Sequence, residues 1–281
     1  MGVKEMNKKA VFLDVDGTIV ANHQTISPKV KEAINQAKKN GHKIFICTGR
    51  NKAGINQELK EVNFDGIITS AGSYVEIDGH VVHCCFFSND LVKKVTKVFD
   101  ENNIVYNYEC TNITYMSKKM IELFAKLDQE DITNSEMERI IAEHNEKFNA
   151  HDMDSYDGLG VHKISFVARN KDDFLAAKKE LDDDVIFILH DLGNTNLNGE
   201  IISKTDNKGT GIKHAIEYLQ MDIKDTIGFG DSMNDYDMIK TVDCGVVMEN
   251  GSLELKKIAD RICLSVENDG VYDEFIKLGL I

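Results

Sequence analysis

Two carboxylates, Asp14 and Asp16, stand two residues apart at the end of a short apolar run, and Gly17 and Thr18 follow at once. One acid of such a pair can serve as nucleophile or metal ligand while its neighbour carries a proton. A polar strand-to-loop turn would also use Asp and Gly. At average residue usage, however, D-x-D-G-T arises by chance in well under ~1% of chains of this length. Three further segments carry compatible chemistry: Thr48-Gly49-Arg50, Lys208-Gly209 and Gly230-Asp231-Ser232-Met233-Asn234-Asp235. Phosphoryl transfer demands positioning, charge neutralisation and a nucleophile, and these segments offer all of them. Asp14 and Asp231 are hard oxygen ligands suited to Mg²⁺. The Thr48 hydroxyl and Gly49 N–H can donate to phosphate oxygens, and the Lys208 ammonium can offset their charge. Asp235, four residues after Asp231, can anchor Lys208 if a helix begins there. Singly, T-G-R and K-G are ordinary; their order and their strand-edge positions carry the case.

The elements that would hold these residues alternate between strand and helix. Ala10–Leu13 reads as a buried strand that delivers Asp14 to its carboxyl end, where Gly17 lets the chain turn. Ser27-Pro28 caps a helix whose apolar positions are Val30, Ala33, Ile34 and Ala37, and Gly41 closes it. Strands are predicted at 43–47 and 66–69, and Asp78-Gly79 signals a hairpin within 75–82. From about Cys85 the texture changes. A helix with Leu91, Val95, Val98 and Phe99 on one face leads into strands near 105–109 and 113–116, a polar helical stretch over 135–148, and strand, helix and strand over 163–190. Around Gly199 the alternating pattern resumes. A helix carries Ile212, Ala215, Ile216 and Leu219, and strands near 226–229, 245–248 and 261–264 precede a last helix. This predicts an α/β fold, a Rossmann-like parallel-sheet core with an inserted α+β cap, divided as 1–85, 86–190 and 191–281.

The 281 residues carry a net charge of −14, which argues against a nucleic-acid or anionic-membrane partner. No apolar run approaches the ~18 residues of a membrane span, and the first residues lack the apolar stretch of a signal peptide. The six cysteines lack C-x-x-C spacing, so reduced thiols and a cytoplasmic location are expected. The nine histidines lack H-x-x-x-H and H-E-x-x-H spacing and read as surface or core residues, and Cys84-Cys85 reads as strand packing.

With its four motifs in this order, nearly the whole chain resembles the haloacid dehalogenase-like phosphohydrolases, in particular the Cof-like branch with a large cap between the second and third motifs. The resemblance implies a Mg²⁺-dependent phosphatase with a mobile cap. It implies that Asp14 is the nucleophile that becomes an aspartyl-phosphate. Asp16 would protonate the leaving alcohol and then activate water. Mg²⁺ would sit on Asp14, the Asp16 carbonyl and Asp231. The phosphate would be held by Thr48, Gly49, Lys208, Asn234 and the Val15 N–H, with Asp235 orienting Lys208 and with Thr18 and Arg50 in supporting positions. Where the family usually has Asn-Gly-Ala and Gly-Asn-Ala, this chain reads Ala71-Gly72-Ser73 and Glu249-Asn250-Gly251, on loops expected near the substrate. Tyr106, Tyr108, Glu109, Tyr115 and His151 are candidates for the substrate pocket. The expected partner is a small phosphorylated metabolite such as a sugar phosphate, handled by a monomer or homodimer. A phosphosugar mutase using the same intermediate, or a non-catalytic sensor, remains open on the motifs alone.

Overall fold

The computed structural model describes residues 8–21, 25–127, 150–191 and 197–281. The strands are β1 (Ala10–Leu13), β2 (Lys43–Cys47), β3 (Gly66–Thr69), β4 (Tyr74–Ile77), β5 (His80–Cys84), β6 (Val105–Cys110), β7 (Thr114–Met116), β8 (Ala150–Asp152), β9 (Val161–Ala168), β10 (Ile186–Asp191), β11 (Leu197–Ile202), β12 (Thr226–Gly230), β13 (Cys244–Met248) and β14 (Arg261–Cys263). They form two sheets. The larger has the order β14-β13-β12-β1-β2-β3-β4-β5 and is parallel as far as β3.

Alternation along β1 explains why both faces of this sheet are covered. Val11 and Leu13 pack toward the helices Pro28–Lys39 and Gly270–Lys277, with Val30, Ile34 and Phe275. Ala10 and Phe12 face the other way, toward Ile212 and Ala215 of the helix Lys208–Leu219 and Met238 of the helix Tyr236–Thr241. A strand buried on both sides reads as the continuous apolar run seen in the sequence. Ser27 caps the first helix as predicted, and Asp78-Gly79 turns the β4–β5 hairpin with both residues at positive φ.

The second sheet has the order β10-β11-β9-β6-β7-β8, antiparallel except where β7 meets β8. One face packs on the helices Asn89–Glu101 and Lys171–Leu181 through Val95, Phe99, Phe166 and Phe174. The cap boundary drawn at residue 190 falls inside this sheet and is corrected by it. β11 pairs with both β9 and β10, so the unit's strands run to Ile202. LNGEII carries no composition change to mark it, and the core pattern resumes only at Lys208. The helical stretch expected over 135–148 lies outside the described residues.

Candidate active site

The carboxyl ends of β1, β2 and β12 converge where the sheet's central strands meet. Asp14 follows β1, Thr48 follows β2 and Asp231 follows β12, and Lys208 is the first residue of its helix. Asn207 fixes that helix start with a reciprocal cap: its Oδ1 accepts from the Thr210 N–H at 2.9 Å, and its own N–H donates to Thr210 Oγ1 at 2.8 Å. Lys208 Nζ, wholly buried, then donates to Asp14 Oδ1 at 2.7 Å, Asn234 Oδ1 at 3.2 Å and Asp235 Oδ1 at 2.5 Å. Burial works to lower its pKa, but Asp14 and Asp235 outweigh it and keep it charged.

Asp14, Asp231 and Asp235 bring carboxylate oxygens within 4.8 Å of one another. Asp235 is already engaged, because its Oδ2 accepts the N–H groups of Asp231 and Ser232 at 2.9 and 3.1 Å. It therefore positions the lysine and the loop. Asp231 Oδ1 is buried and has no hydrogen-bond partner. Burial, with Asp235 and Asp14 beside it, pushes the Asp231 carboxyl well above its usual range. Burial and the neighbouring Asp235 push Asp14 up to about 8 against the opposing pull of Lys208. Crowded, desolvated oxygens of this kind suit a hard divalent cation, and the all-oxygen donor set fits Mg²⁺.

Asp16 turns its carboxylate toward Arg50, which holds it with two hydrogen bonds, Nε–Oδ2 at 2.9 Å and Nη2–Oδ1 at 2.6 Å. Arg50 is thus a carboxylate partner in this arrangement. The Val15 carbonyl accepts from the N–H groups of Thr18, Ile19 and Val20, closing the tight loop that follows Asp14. Gly17 sits at φ +77°, and a Cβ there would lie 2.3 Å from Asp231 Oδ2, so the loop touches the second acid. Thr18 is buried beside it, its hydroxyl unpartnered. Thr48 Oγ1 accepts the Arg50 N–H at 3.2 Å. Gly49 lies between the amide of Asn234 and the carboxylate of Glu200, 3.8 and 3.7 Å from where its Cβ would stand.

Glu200 belongs to the cap sheet, and with it comes a group that no motif announced. Lys163 on β9 is 1% exposed; its Nζ donates to the Gly49 carbonyl at 2.7 Å, pairs with Glu109 at 3.2 Å and also pairs with Glu200. Asn107 and Asn198 are buried near them in the strand register, each with an unpartnered side-chain oxygen. A lysine inside an apolar strand (HKISFVA) was the available signal. Of the pocket candidates, Glu109 reaches this cluster, but Tyr106, Tyr108 and Tyr115 do not. Alternation on β6 sends Tyr106 and Tyr108 into the cap's own core, where Thr96 and Asp100 meet their hydroxyls. Tyr115 joins the same core, and His151 is an exposed residue near it.

The two loops that depart from the family pattern, Ala71-Gly72-Ser73 and Glu249-Asn250-Gly251, make contacts within the core. They brace the loop after Asp14 and the start of the helix that carries Lys208. Asn250 Nδ2 donates to the Gly17 carbonyl at 2.8 Å, and its Oδ1 accepts the Val266 N–H at 3.0 Å. Gly72, at φ +101°, abuts the Asn207 carbonyl, 2.0 Å from where its Cβ would stand.

Comparison with known proteins gives the family and the fold. The family model for haloacid dehalogenase-like hydrolases matches residues 11–275. The inferred phosphatase YkrA of Bacillus subtilis is 26% identical over 98% of this chain and 100% of its own length. The 5-amino-6-(5-phospho-D-ribitylamino)uracil phosphatase YitU of the same organism is 25% identical over 93% of this chain and 94% of its own. Among solved structures, the subclass IIB sugar phosphatase BT4131 superposes with a TM-score of 0.77 at 22% identity, over 98% of this chain and 100% of that one.

Proposed function

The chain belongs to the haloacid dehalogenase-like hydrolase family and is a phosphoric monoester hydrolase, and from that premise we propose that it is a Mg²⁺-dependent phosphatase of a small polyhydroxylated metabolite, working through an aspartyl-phosphate on Asp14. The observation that carries this reading is the buried cluster of Asp14, Asp231 and Lys208, in which one carboxylate oxygen has no partner and another is held by the ammonium. Asp14, the Asp16 carbonyl and Asp231 would hold Mg²⁺, whose charge lowers the Asp14 pKa and screens the phosphate.

In the first half-reaction an Asp14 oxygen bonds to phosphorus as the bond to the leaving alcohol breaks, and the Asp16 carboxyl supplies that alcohol's proton. In the second, Asp16 takes a proton from water, whose oxygen bonds to phosphorus and releases Asp14. Lys208, Thr48, the Gly49 and Val15 N–H groups and the Asn234 amide would hold the phosphoryl oxygens. Arg50 would steer Asp16 between its two protonation states. The cap's Lys163, Glu200, Asn107 and Asn198 would meet the leaving group, and carboxylates, amides and ammonium groups complement hydroxyls. The substrates in the names of YitU and BT4131, a phosphoribityl compound and sugar phosphates, are consistent with that class.

The test is phosphate release with Mg²⁺ across phosphosugars, phosphopolyols, nucleotides and cofactor phosphates, with Asp14→Asn as the blank. Turnover that vanishes with EDTA and in the variant, strongest on polyhydroxylated esters, is expected. Undiminished turnover in Asp14→Asn would remove the nucleophile assignment. Conversion of a hexose 1-phosphate into its 6-phosphate would replace hydrolase by mutase.

A further inference from the structure

A second cluster of ligating side chains stands apart from the oxygen-lined site, at the β5 edge of the core. His83 on β5, Asp206 in the loop before Asn207, and His214 one face along the helix Lys208–Leu219 bring a nitrogen or oxygen each within 4.8 Å of the others. His83 Nε2 lies 2.6 Å from Asp206 Oδ1, and the two imidazoles stack with centroids 4.0 Å apart and planes 11° from parallel. The other oxygen of the Asp206 carboxylate accepts the Thr205 hydroxyl at 2.7 Å. Asp206 is 3% exposed, so this carboxylate is held in a dry place by an imidazole and a hydroxyl. Among the described residues the His214 ring nitrogens have no hydrogen-bond partner.

We propose that His83, Asp206 and His214, with solvent in the fourth position, form a transition-metal site that takes zinc. The donor chemistry selects the ion. Two imidazoles and a carboxylate suit a borderline divalent ion in tetrahedral array, whereas Mg²⁺ prefers oxygen and octahedral geometry. Four ligands at Zn²⁺ distances stand about 3.4 Å apart. The half-exposed imidazoles supply the adjustment, one ring swinging out of the stack so that the lone pairs converge. Ligation through Nε2 requires a neutral His83 ring with its proton on Nδ1. Burial lowers the His214 pKa, which keeps that ring neutral and ready to ligate. No local spacing announces the site, because its ligands come from a strand, a loop and a helix far apart in sequence. An ion here would clamp β5 to the helix that begins with Lys208, two residues after Asp206.

The full chain, titrated with Co²⁺ in excess Mg²⁺, tests this without reference to turnover. The expected spectrum has the strong visible bands of a tetrahedral ion, which His214→Ala weakens at the same Co²⁺ concentration. His83→Gln and His214→Ala should each weaken binding at least about 10- to 100-fold, the loss that even an outer-shell change produces. Zn²⁺ should raise the melting temperature of the wild type and leave that of His214→Ala unmoved. The melting temperatures of the metal-free variants report whether each is folded, and His214→Gln replaces His214→Ala if that variant is not. Weak octahedral Co²⁺ spectra, or equal affinity in the folded histidine variants, would overturn the assignment.

Discussion

In the proposed reaction the chemistry turns on Asp14, and its surroundings are poor ones for a bare carboxylate. It is buried among other acids, with one ammonium to offset them, and its pKa is pushed up to about 8. The consequence for stability has a definite sign. Between the ordinary carboxylate range and that value the folded chain holds a proton that the unfolded chain has lost. Without metal, stability therefore falls as pH rises from about 5 to 8, with a slope on the order of 1 kcal/mol per pH unit for each such proton. On the proposed reading Mg²⁺ takes the proton's place and should flatten the slope, as melting temperatures against pH, with EDTA and with Mg²⁺, will reveal. Asp14→Asn should cost roughly 10³-fold or more in kcat while preserving the melting temperature in EDTA, and a phosphate-release assay reads the first. That these residues converge was legible in the sequence because the proposed reaction restricts which side chains can serve and at which strand ends. The partnership of Asp16 with Arg50 was not, since a bidentate pair joins positions with no fixed spacing.

Helix and loop geometry decides whether Lys208 reaches its acids. The Asn207 cap aims the first turn of the helix, so Asn207→Ala should cost about 1 kcal/mol in urea unfolding. Gly72→Ala places a methyl against the Asn207 backbone from a positive-φ position. It should cost about 2–4 kcal/mol and lower kcat together, because the shifted segment carries the lysine. Asn250 is exposed, so Asn250→Ala should leave unfolding nearly unchanged. Its tie to Gly17 predicts a roughly 10- to 100-fold fall in kcat, measured under saturating substrate. Strands and helices of the core were readable from their apolar runs and caps. Their bracing was not, because a turn residue's sequence says how it bends and not what it touches. The cap's tyrosines were misread for a related reason. Alternation fixes that Tyr106 and Tyr108 share a face, but only pairing with β9 decides which face meets the core.

At the scale of the molecule, Lys163 joins the two units by reaching from β9 to the Gly49 carbonyl. Lys163→Met leaves Glu109 and Glu200 facing each other without their buried cation, at a cost of about 3–5 kcal/mol. Adding Glu200→Gln should recover much of that stability in urea unfolding and none of the lost turnover. The cap's insertion was visible as a change of texture, yet its far boundary was not, since β11 continues into the core without a break in composition. That insertion also orders events during synthesis. β1 lies between β2, made soon after it, and β12, which leaves the ribosome only after the whole cap. At roughly 5–20 residues per second, the β12-facing edge of β1 stays open for tens of seconds. A nascent chain halted before Thr226 therefore presents an apolar, unpaired strand edge, the surface that chaperones cover and that aggregates nucleate upon. The cap sheet is complete by Ile202 and can close over its own core first, leaving the catalytic half to be finished by the last segment made.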